Sequence, residues 1–357
     1  MPDTLTKTAY QTFQEGKKYF GVAHKTLSTQ LLNVLSGTKR EEPNPPDPQL
    51  LLLMQSRIDA LLEADWQDAE DGIYPKQALF ENRWDDFFRY YPELWLDLPK
   101  IWDRATKKRY QDFSEGIDIS GYPSYYAQNF HHQTDGYFSD SSAQMYDLQV
   151  EVLFNGTAAP MRRRILAPLK QHLAQMEMPI GETPQPVKIL DIACGTGNSL
   201  TWINQAIPQA ALYGVDLSPA YLRKANENLS GIKGRVPAQL IQANAEELPY
   251  IDEFFEATTS TFLFHELPAE ARQNVIDEAF RVTKPGGVFV ICDSIQKIDA
   301  PEFEPLMENF PVMFHEPYYR HYIGDDLVAR LESAGFTDVS TTTHFMSKYW
   351  IAIKPVA

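Results

Sequence analysis

Apolar residues recur every three or four positions through most of the first third of the chain, which is the spacing of one helix face. Residues 1–36 carry one such stripe, whereas four prolines within residues 41–48 exclude a helix there. Residues 76–113 have helical spacing again and are unusually aromatic, and we expect Pro92 and Pro99 to divide them into shorter segments. The pattern predicts an N-terminal region of helices that pack on one another.

This regularity is lost between residues 120 and 154. Aromatic and polar residues are interleaved there with glycine, proline, serine and aspartate, and neither a helix period nor a strand period holds. A stretch of this kind buries little core by itself. We therefore predict that it lies against another part of the molecule.

From residue 187 onward, short apolar runs alternate with helical patterns, an order typical of a doubly wound α/β sheet. The first run begins at Val187, and the later predicted strands are 211–217, 238–243, 256–264, 288–292, 339–345 and 348–354. Only Met346 and Ser347 separate the last two strands, which must therefore pair antiparallel. We predict an α/β fold with a Rossmann-like, seven-stranded sheet that ends in a C-terminal antiparallel hairpin.

The first strand runs into a glycine turn, Val-Lys-Ile-Leu-Asp-Ile-Ala-Cys-Gly-Thr-Gly at 187–197, and a helix follows. The glycines let the backbone approach a ligand, and the helix start offers free N–H groups to it. A dinucleotide-binding turn needs a third glycine, where this chain has Leu200, and the Gly-Lys-Ser/Thr ending of a P-loop is absent. The turn therefore indicates an adenosine-bearing ligand that does not require pyrophosphate binding.

Polar residues follow the next strands at the same edge of the predicted sheet. Asp216 ends the second strand, 21 residues after Gly195, where this fold holds ribose hydroxyls. Leu217 is placed to cover an adenine face, and residues 244–246 lie near the adenine edge. Residues 261–262 end the fourth strand, close to the switch point at which ligands bind.

With these residues in place, the chain resembles the class I S-adenosylmethionine-dependent methyltransferases over residues 160–357. The resemblance rests on Ile-Leu-Asp-Ile-Ala-Cys-Gly-Thr-Gly (189–197), Gly-Val-Asp-Leu-Ser (214–218), Ala-Asn-Ala-Glu-Glu-Leu-Pro (243–249), Ser-Thr-Phe-Leu-Phe-His-Glu-Leu (260–267), Arg-Val-Thr-Lys-Pro-Gly-Gly (281–287) and the terminal hairpin. The branch that it resembles includes ubiquinone- and menaquinone-type C-methyltransferases. Two departures are Ala193, where the turn usually has glycine, and Asn244, which replaces a frequent acid but can still bond an adenine amine.

The resemblance implies that the chain binds S-adenosylmethionine and transfers its methyl group. It also implies a set of cofactor-binding residues. Those around the methionine part would be Asp191, Ala193, Cys194, Gly195 and Gly197, those around the ribose and adenine would be Asp216, Leu217, Asn244 and Ala245, and Thr261 and Phe262 would complete the site.

Methyl transfer requires an aligned acceptor and, for a hydroxyl or an activated carbon, a base that takes its proton. His265 follows the fourth strand at the mouth of the sheet and is the first candidate, the alternative being a histidine that only caps the next helix. His131 and Tyr137 are the next candidates. Such histidines and carboxylates could also ligate a metal, but no compact ligand spacing is present, so we predict no metal site.

We predict acceptor-binding residues in two segments. Tyr125, Tyr126 and His132 belong to the irregular stretch, whose mixture of aromatic and polar residues suits an apolar or aromatic small molecule. His315 and Tyr319 lie between the fifth strand and the next helix, where the resemblance implies an acceptor pocket.

We predict two parts of the chain. Residues 1–155 form a helical, aromatic-rich region whose residues 122–146 close over the cofactor, and residues 156–357 form the methyltransferase domain. The predicted function is C- or O-methylation of a small, apolar or aromatic acceptor. A protein methyltransferase, and a cofactor-binding scaffold without turnover, remain open as alternatives.

The charge and composition of the chain limit the kinds of partner that we expect it to bind. The 357-residue chain has a formal charge of −16 and a pI near 4.9, which disfavours nucleic acid. No apolar run approaches the roughly 18 residues that cross a bilayer, so we predict no integral membrane association, and the N-terminus lacks the apolar core of a secretory signal. Cys194 and Cys292 are the only cysteines, so we expect no disulfide framework and a cytoplasmic location. The sequence does not indicate an oligomeric state.

Overall fold

A computed structural model describes residues 3–36, 47–81, 84–176, 186–231 and 237–356. Within these ranges the α-helices are α1 (Thr4–Ser36), α2 (Pro48–Glu70), α3 (Trp84–Lys107), α4 (Asp140–Leu153), α5 (Ala158–Arg163), α6 (Leu166–Gln175), α7 (Asn198–Ala206), α8 (Pro219–Ser230), α9 (Ala269–Val282), α10 (Glu304–Phe314), α11 (Tyr319–Tyr322) and α12 (Leu327–Ala334). Short 3-10 helices lie at Lys76–Phe80, Phe130–His132, Phe264–Glu266 and Pro301–Phe303. None of the helices in the described ranges has the length and hydropathy of a membrane span. The part of the proline-rich stretch before residue 47 lies outside the described residues.

Seven strands form one sheet. They are β1 (Lys188–Ile192), β2 (Ala211–Asp216), β3 (Gln239–Gln242), β4 (Phe255–Thr261), β5 (Thr283–Ser294), β6 (Thr337–His344) and β7 (Ser347–Ile353). Their order is β3-β2-β1-β4-β5-β7-β6, with β7 antiparallel to both β5 and β6 and every other pair parallel. The predicted seven-stranded sheet with a C-terminal antiparallel hairpin is confirmed.

The sheet separates two apolar cores because successive residues of a strand point to opposite faces. On β1, Leu190 belongs to the core that contains Ile276 of α9, whereas its neighbour Ile189 belongs to the core that contains Ile203 of α7. The second core also includes Trp66 of α2, so an N-terminal helix contributes to it. This arrangement leaves the carboxyl ends of β1, β2 and β4 at one edge, where the glycine turn lies.

A buried ionic network fastens the N-terminal helices to this layer. The Asp65 carboxylate on α2 accepts from Arg163 Nε at 2.9 Å and from Arg163 Nη2 at 2.5 Å. The hydroxyls of Tyr10 and Tyr74 donate to the same carboxylate at 2.6 and 2.7 Å. All four side chains are buried, so removal of one charged partner would leave the other unpaired, at a cost of about 3–5 kcal/mol. We call these four residues the Asp65 anchor.

The prediction that Pro92 and Pro99 divide the aromatic segment is wrong, since α3 runs through both prolines. Each proline removes one backbone hydrogen bond, but packing against another helix can compensate. On α3, the Tyr91 ring lies 5.1 Å from the Phe20 ring and 5.6 Å from the His24 ring of α1, measured between centroids. Tertiary packing therefore maintains this helix where local sequence predicts breaks.

The stretch from 120 to 154 is more regular than its sequence indicates, because Asp140–Leu153 form α4. Ser139 caps this helix by accepting from the Ser142 N–H at 3.1 Å. The expectation that the stretch lies against another part of the molecule is confirmed, since Phe130 and Tyr137 share an apolar cluster with Tyr221 of α8. The predicted boundary after residue 155 falls in the turn between α4 and α5 and stays a prediction.

Candidate functional site

A cavity of about 110 Å³ lies at the carboxyl ends of β1, β2 and β4. Its floor comes from these strand ends and includes Ala193, Gly195, Asp216, Leu217, Asn244, Ala245, Thr261, Phe262 and Glu266. Its other wall consists of rings from the irregular stretch, namely Tyr125, Tyr126, Phe130, Tyr137 and Tyr146. We call residues 122–146 the aromatic cover. Eight of the eleven predicted cofactor residues, and two of the five predicted acceptor residues, line this cavity.

The glycine turn supplies the floor with exposed backbone. Ala193, Gly195 and Gly197 have φ angles of 57°, 52° and 79°, which only glycine adopts readily. A Cβ added to Gly195 would meet no atom within 4 Å, so open space lies beside this backbone. A Cβ added to Gly197 would approach the Ala225 Cβ to 3.1 Å. Gly195 therefore leaves room at the cavity, whereas Gly197 allows α7 to pack closely on α8.

Asp216 is held in place by the backbone at the end of β2. Its Oδ2 accepts from Gly195 N–H at 2.9 Å, and its Oδ1 accepts from Ser218 N–H at 2.8 Å. Burial raises the pKa of Asp216 to about 6, although these backbone hydrogen bonds oppose the shift. The result is a fixed carboxylate, ionised at neutral pH, on the floor of the cavity.

Two predicted cofactor residues, Asp191 and Cys194, lie in the interior instead of on the cavity wall. The Asp191 Oδ1 accepts from Thr259 Oγ1 at 2.7 Å, and burial raises the pKa of this carboxyl to about 7. The Cys194 side chain points toward β2, because a Cβ on Gly214 would meet its Sγ at 2.8 Å. Cys194 is thus a packing residue, and the Asp191 side chain links β1 to β4 just before the turn.

The remaining floor residues are constrained by their neighbours. Asn244 accepts from the Glu246 N–H at 3.1 Å through its Oδ1. Thr261 accepts from Ser199 Oγ at 3.3 Å, which ties the end of β4 to the start of α7. The Phe262 ring lies 5.5 Å from the Arg162 guanidinium. These contacts make the floor rigid.

The aromatic cover is attached to the floor by polar contacts. The Tyr137 carbonyl accepts from Ser218 Oγ, and its hydroxyl donates to Glu266 Oε1 at 2.6 Å. Tyr125 donates to Glu246 through its hydroxyl. The Tyr126 hydroxyl is buried and has no hydrogen-bond partner among the described residues. An orphaned hydroxyl of this kind is a polar group available to a ligand.

His265 follows β4, as predicted, but its side chain does not line the cavity. It is buried, with its Nδ1 2.7 Å from Asp293 Oδ1 and its Nε2 4.0 Å from Glu266 Oε1. Burial alone would lower the pKa of His265, but the Asp293 carboxylate, with Glu316 and Glu266, raises it to about 9. His265 is therefore protonated at neutral pH and supplies positive charge instead of accepting a proton.

His131 approaches Glu266 from the cover. Its Nε2 lies 3.1 Å from Glu316 Oε1 and 3.5 Å from Glu266 Oε1. Burial opposes protonation of His131, but Glu316 and Glu266 together raise its pKa above the usual value. Burial raises the pKa of Glu316 to about 8, with His131 acting in the opposite direction. We call His131, His265, Glu266, Asp293 and Glu316 the His-carboxylate cluster.

The other three predicted acceptor residues do not line the cavity. The His315 ring stacks on Tyr110 at 3.8 Å, and the His132 ring lies 5.9 Å from His315. Burial lowers the pKa of both histidines to about 4, so they are neutral. Tyr319 is buried, with its hydroxyl 2.8 Å from Ser294 Oγ. These three side chains are therefore held by contacts outside the cavity.

Sequence reasoning missed three carboxylates of the cluster. Glu266 directly follows His265 in a segment that already carried the resemblance, and it lines the cavity. Asp293 lies near the carboxyl end of β5, at the same edge as the other site residues, and this position was a usable signal. Glu316 follows α10 in a segment singled out for its histidines, and no sequence pattern brings it to His131.

A second, larger cavity of about 810 Å³ lies between α1, α3, α4 and α7. Phe13, Phe20, Phe87 and Trp202 contribute to its lining. None of the residues predicted to bind cofactor or acceptor lines this space. The chemistry considered below therefore belongs to the smaller cavity.

Comparison with known proteins agrees with the geometry of the floor. The family described as "Methyltransferase domain" matches residues 189–287, which run from β1 into β5. An uncharacterized methyltransferase of Synechocystis sp. is 31% identical over 152 residues, which cover 43% of this chain and 68% of that protein. The chain belongs to the class I S-adenosylmethionine-dependent methyltransferases.

Two further relatives of this methyltransferase have more specific names. The ubiquinone/menaquinone biosynthesis C-methyltransferase UbiE of Desulfotalea psychrophila is 29% identical over 195 residues, or 55% of this chain and 68% of that protein. The malonyl-[acyl-carrier protein] O-methyltransferase of Geobacter sulfurreducens is 31% identical over 162 residues, or 44% of this chain and 58% of that protein. Each alignment leaves a large part of the present chain unmatched, and the names describe those relatives only.

The floor of the methyltransferase fits S-adenosylmethionine. The fixed Asp216 carboxylate offers acceptors for ribose hydroxyls, Gly195 leaves its backbone open, and the Tyr126 hydroxyl has no hydrogen-bond partner in the described part of the chain. The cavity is nevertheless smaller than the roughly 300–1,000 Å³ of typical ligand pockets. This arrangement therefore leaves too little room for a whole nucleoside.

Proposed function

We propose that this methyltransferase acts on a small, apolar or aromatic acceptor, at carbon or oxygen. The observation that carries the proposal is the ring of five aromatic side chains opposite the cofactor floor. A mostly apolar wall with a few polar groups is typical of small-molecule sites. The names of the relatives, one a C-methyltransferase and one an O-methyltransferase, agree with either reaction.

On the floor, we propose that Asp216 binds the ribose hydroxyls and that Asn244 and Ala245 lie along the adenine. Gly195 allows the methionine part to approach the turn, while Asp191 links β1 to β4 just before that turn through Thr259. The bound cofactor supplies a methyl group on a sulfonium, which is a good leaving group. The task of the protein is then to align the acceptor and exclude water.

On the acceptor side, we propose that the rings of Tyr126, Phe130 and Tyr137 hold a flat or apolar molecule. Glu266 is a carboxylate that lines the cavity, and it receives a hydrogen bond from Tyr137. We propose Glu266 as the group that takes the acceptor proton, in place of His265. The imidazoles of His131 and His265 offset its negative charge.

We propose that the aromatic cover opens to admit ligands and closes for reaction. It belongs to the predicted N-terminal region, 1–155, and it contacts the methyltransferase domain at Ser218, Glu246 and Glu266. Closure would exclude water from the reacting atoms. Cys194 and Cys292 are both free and buried, which fits the cytoplasm in which we expect the enzyme to act.

Two measurements test the proposal. Calorimetry with S-adenosylhomocysteine should show one binding site per chain. If no binding were observed, the proposed cofactor site would be refuted. Incubation with methyl-labelled cofactor and either a small-molecule extract or a protein extract should transfer label to the small-molecule fraction. Label in protein would identify a protein methyltransferase, and binding without any transfer would identify a scaffold.

A further inference from the structure

The His-carboxylate cluster contains a buried carboxylate without a hydrogen-bond partner. Glu316 is 1% exposed, and neither of its side-chain oxygens has a hydrogen-bond partner among the described residues. Its Oε1 lies 3.1 Å from His131 Nε2, but the two groups are not aligned as a hydrogen bond. Burial of a carboxylate without a hydrogen-bond partner is strongly unfavourable, so binding of a ligand to Glu316 would be favourable.

The net charge of the cluster also favours a bound cation. Glu266, Glu316 and Asp293 bring three carboxylates into a buried space, and no lysine or arginine of the described ranges forms an ion pair with them. Among the described residues, their ion-pair partners are the imidazoles of His131 and His265. An additional positive charge, supplied by a proton or by a metal ion, would balance the group.

Three side chains of the cluster converge as metal ligands do. One ligand atom each from His131, Glu266 and Glu316 lies within 4.8 Å of the others, and two of these separations are 3.1 and 3.5 Å. Nitrogen and oxygen ligands about 2.0–2.2 Å from one ion lie roughly 3–3.5 Å apart. Only a small movement would therefore complete coordination.

The surroundings resemble the second layer of a metal centre. The Tyr137 hydroxyl donates to Glu266 at 2.6 Å, which fixes the orientation of that carboxylate. His265 is oriented by Asp293 at 2.7 Å and turns its Nε2 toward Glu266. Such supporting hydrogen bonds orient ligands and tune a bound ion.

We propose that His131, Glu266 and Glu316 bind one divalent transition-metal ion, such as Zn²⁺ or Mn²⁺. An imidazole with two carboxylates favours these ions over Mg²⁺ and Ca²⁺, which prefer oxygen ligands alone. The ligands come from the cover, from the segment after β4 and from the segment after α10, so the ion would join all three. The sequence-based expectation of no metal rested on local spacing, which three distant segments cannot provide.

The position of the proposed ion has one consequence, which rests on the proposed function. Glu266 also lines the cavity beneath the aromatic cover. Remaining coordination positions would therefore face the acceptor, and an acceptor oxygen would be the natural ligand. With the ion bound, His131 would be a neutral imidazole and Glu266 a ligand, so the ion instead of Glu266 would promote loss of the acceptor proton. Metal binding itself requires no turnover and can be measured separately.

The test uses the full-length protein without a histidine tag. After treatment with a chelator and dialysis, titration calorimetry with Zn²⁺ and with Mn²⁺ should reveal one saturable site, and elemental analysis should find one ion per chain. A tenfold excess of Mg²⁺ should not compete. Absence of saturable binding by either transition metal would overturn the proposal, whatever the result with S-adenosylhomocysteine.

Matched variants locate the site. Glu316→Gln and His131→Asn should each weaken metal binding at least 100-fold and abolish the rise in Tm that metal gives the wild type. Glu256→Gln and His172→Asn, which alter a buried carboxylate at the opposite end of β4 and a histidine on α6, should bind as the wild type does. Wild-type affinity in folded Glu316→Gln and folded His131→Asn would show that the cluster holds protons only. If Glu316→Gln does not fold, the His131 variant decides alone.

Discussion

The floor of the cavity and the aromatic cover are built in different ways. The floor consists of strand ends, and its residues are fixed by backbone hydrogen bonds such as those that Asp216 accepts from Gly195 and Ser218. The cover consists of side chains from turns and from the start of α4, held by ring contacts and a few hydroxyls. The floor suits a ligand common to a whole family, whereas the cover can vary with the acceptor.

This difference assigns cofactor binding to the floor and acceptor specificity to the cover. Changes on the floor should weaken the cofactor whatever the acceptor is. Changes in the cover should alter turnover or acceptor affinity and leave the cofactor nearly untouched. The following four predictions test that division, in order of decreasing effect.

Asp216→Ala should weaken S-adenosylhomocysteine binding about 100-fold, because it removes charge-assisted hydrogen bonds and frees two backbone donors. Calorimetry at pH 7.5 measures the change. Asp252→Ala, at an exposed carboxylate before β4, is the control and should bind as the wild type does. Retained affinity in the Asp216 variant would refute the assignment of the floor.

Gly195→Ala and Gly197→Ala should have different effects, because Gly195 leaves space for a ligand whereas Gly197 allows close helix packing. A methyl group on Gly195 enters open space beside the cavity, so cofactor affinity should fall about 30-fold, with a stability loss near 1–2 kcal/mol from the left-handed backbone. A methyl group on Gly197 presses on Ala225, so stability should fall by roughly 2–4 kcal/mol. Urea denaturation and calorimetry on both variants check the contrast, and equal effects would contradict it.

Tyr137→Phe should lower turnover about tenfold and leave cofactor affinity within twofold. The ring remains in the cover, but Glu266 loses its 2.6 Å hydrogen bond. Steady-state kinetics with the acceptor found by labelling measure the effect. Tyr318→Phe is the control. The Tyr318 hydroxyl accepts from Gln128 Nε2 at 3.3 Å, and this contact lies away from the floor. A loss of cofactor affinity equal to the loss of turnover would break the division between floor and cover.

Cofactor affinity should fall about fourfold between pH 8 and pH 5.5. The pKa of Asp216 is raised to about 6 by burial, so the carboxylate that accepts ribose hydroxyls is progressively protonated as pH falls through 6. The raised pKa has the opposite effect on the stability of the free protein. Burial favours the neutral acid, so ionisation of Asp216 lowers the free energy of unfolding as pH rises. Calorimetry across this range checks the sign, and Asp216→Asn should show a flatter profile.

The floor could be predicted from the sequence because each of its parts is a short motif at a strand end. Asp216 and Asn244 were found by counting along alternating strands and helices. Asp191 and Cys194 belong to the same motif, but their side chains turn inward, and the motif alone does not reveal this direction.

The cover and the cluster could not be predicted in the same way. His131, Glu266 and Glu316 meet only through the tertiary fold, and their neighbours in sequence carry no shared pattern. The position of His265 after β4 makes it a candidate, yet its side chain contacts Asp293 and does not line the cavity. The continuity of α3 through Pro92 and Pro99 likewise depends on packing against α1.

The Asp65 anchor bears on how this chain can be divided. A fragment beginning at residue 156 would keep every cofactor motif and yet leave the buried Arg163 guanidinium without its carboxylate. It would also expose the surface that Trp66 covers. Exchange of the N-terminal helices with those of a relative would therefore have to carry Asp65 and Arg163 together.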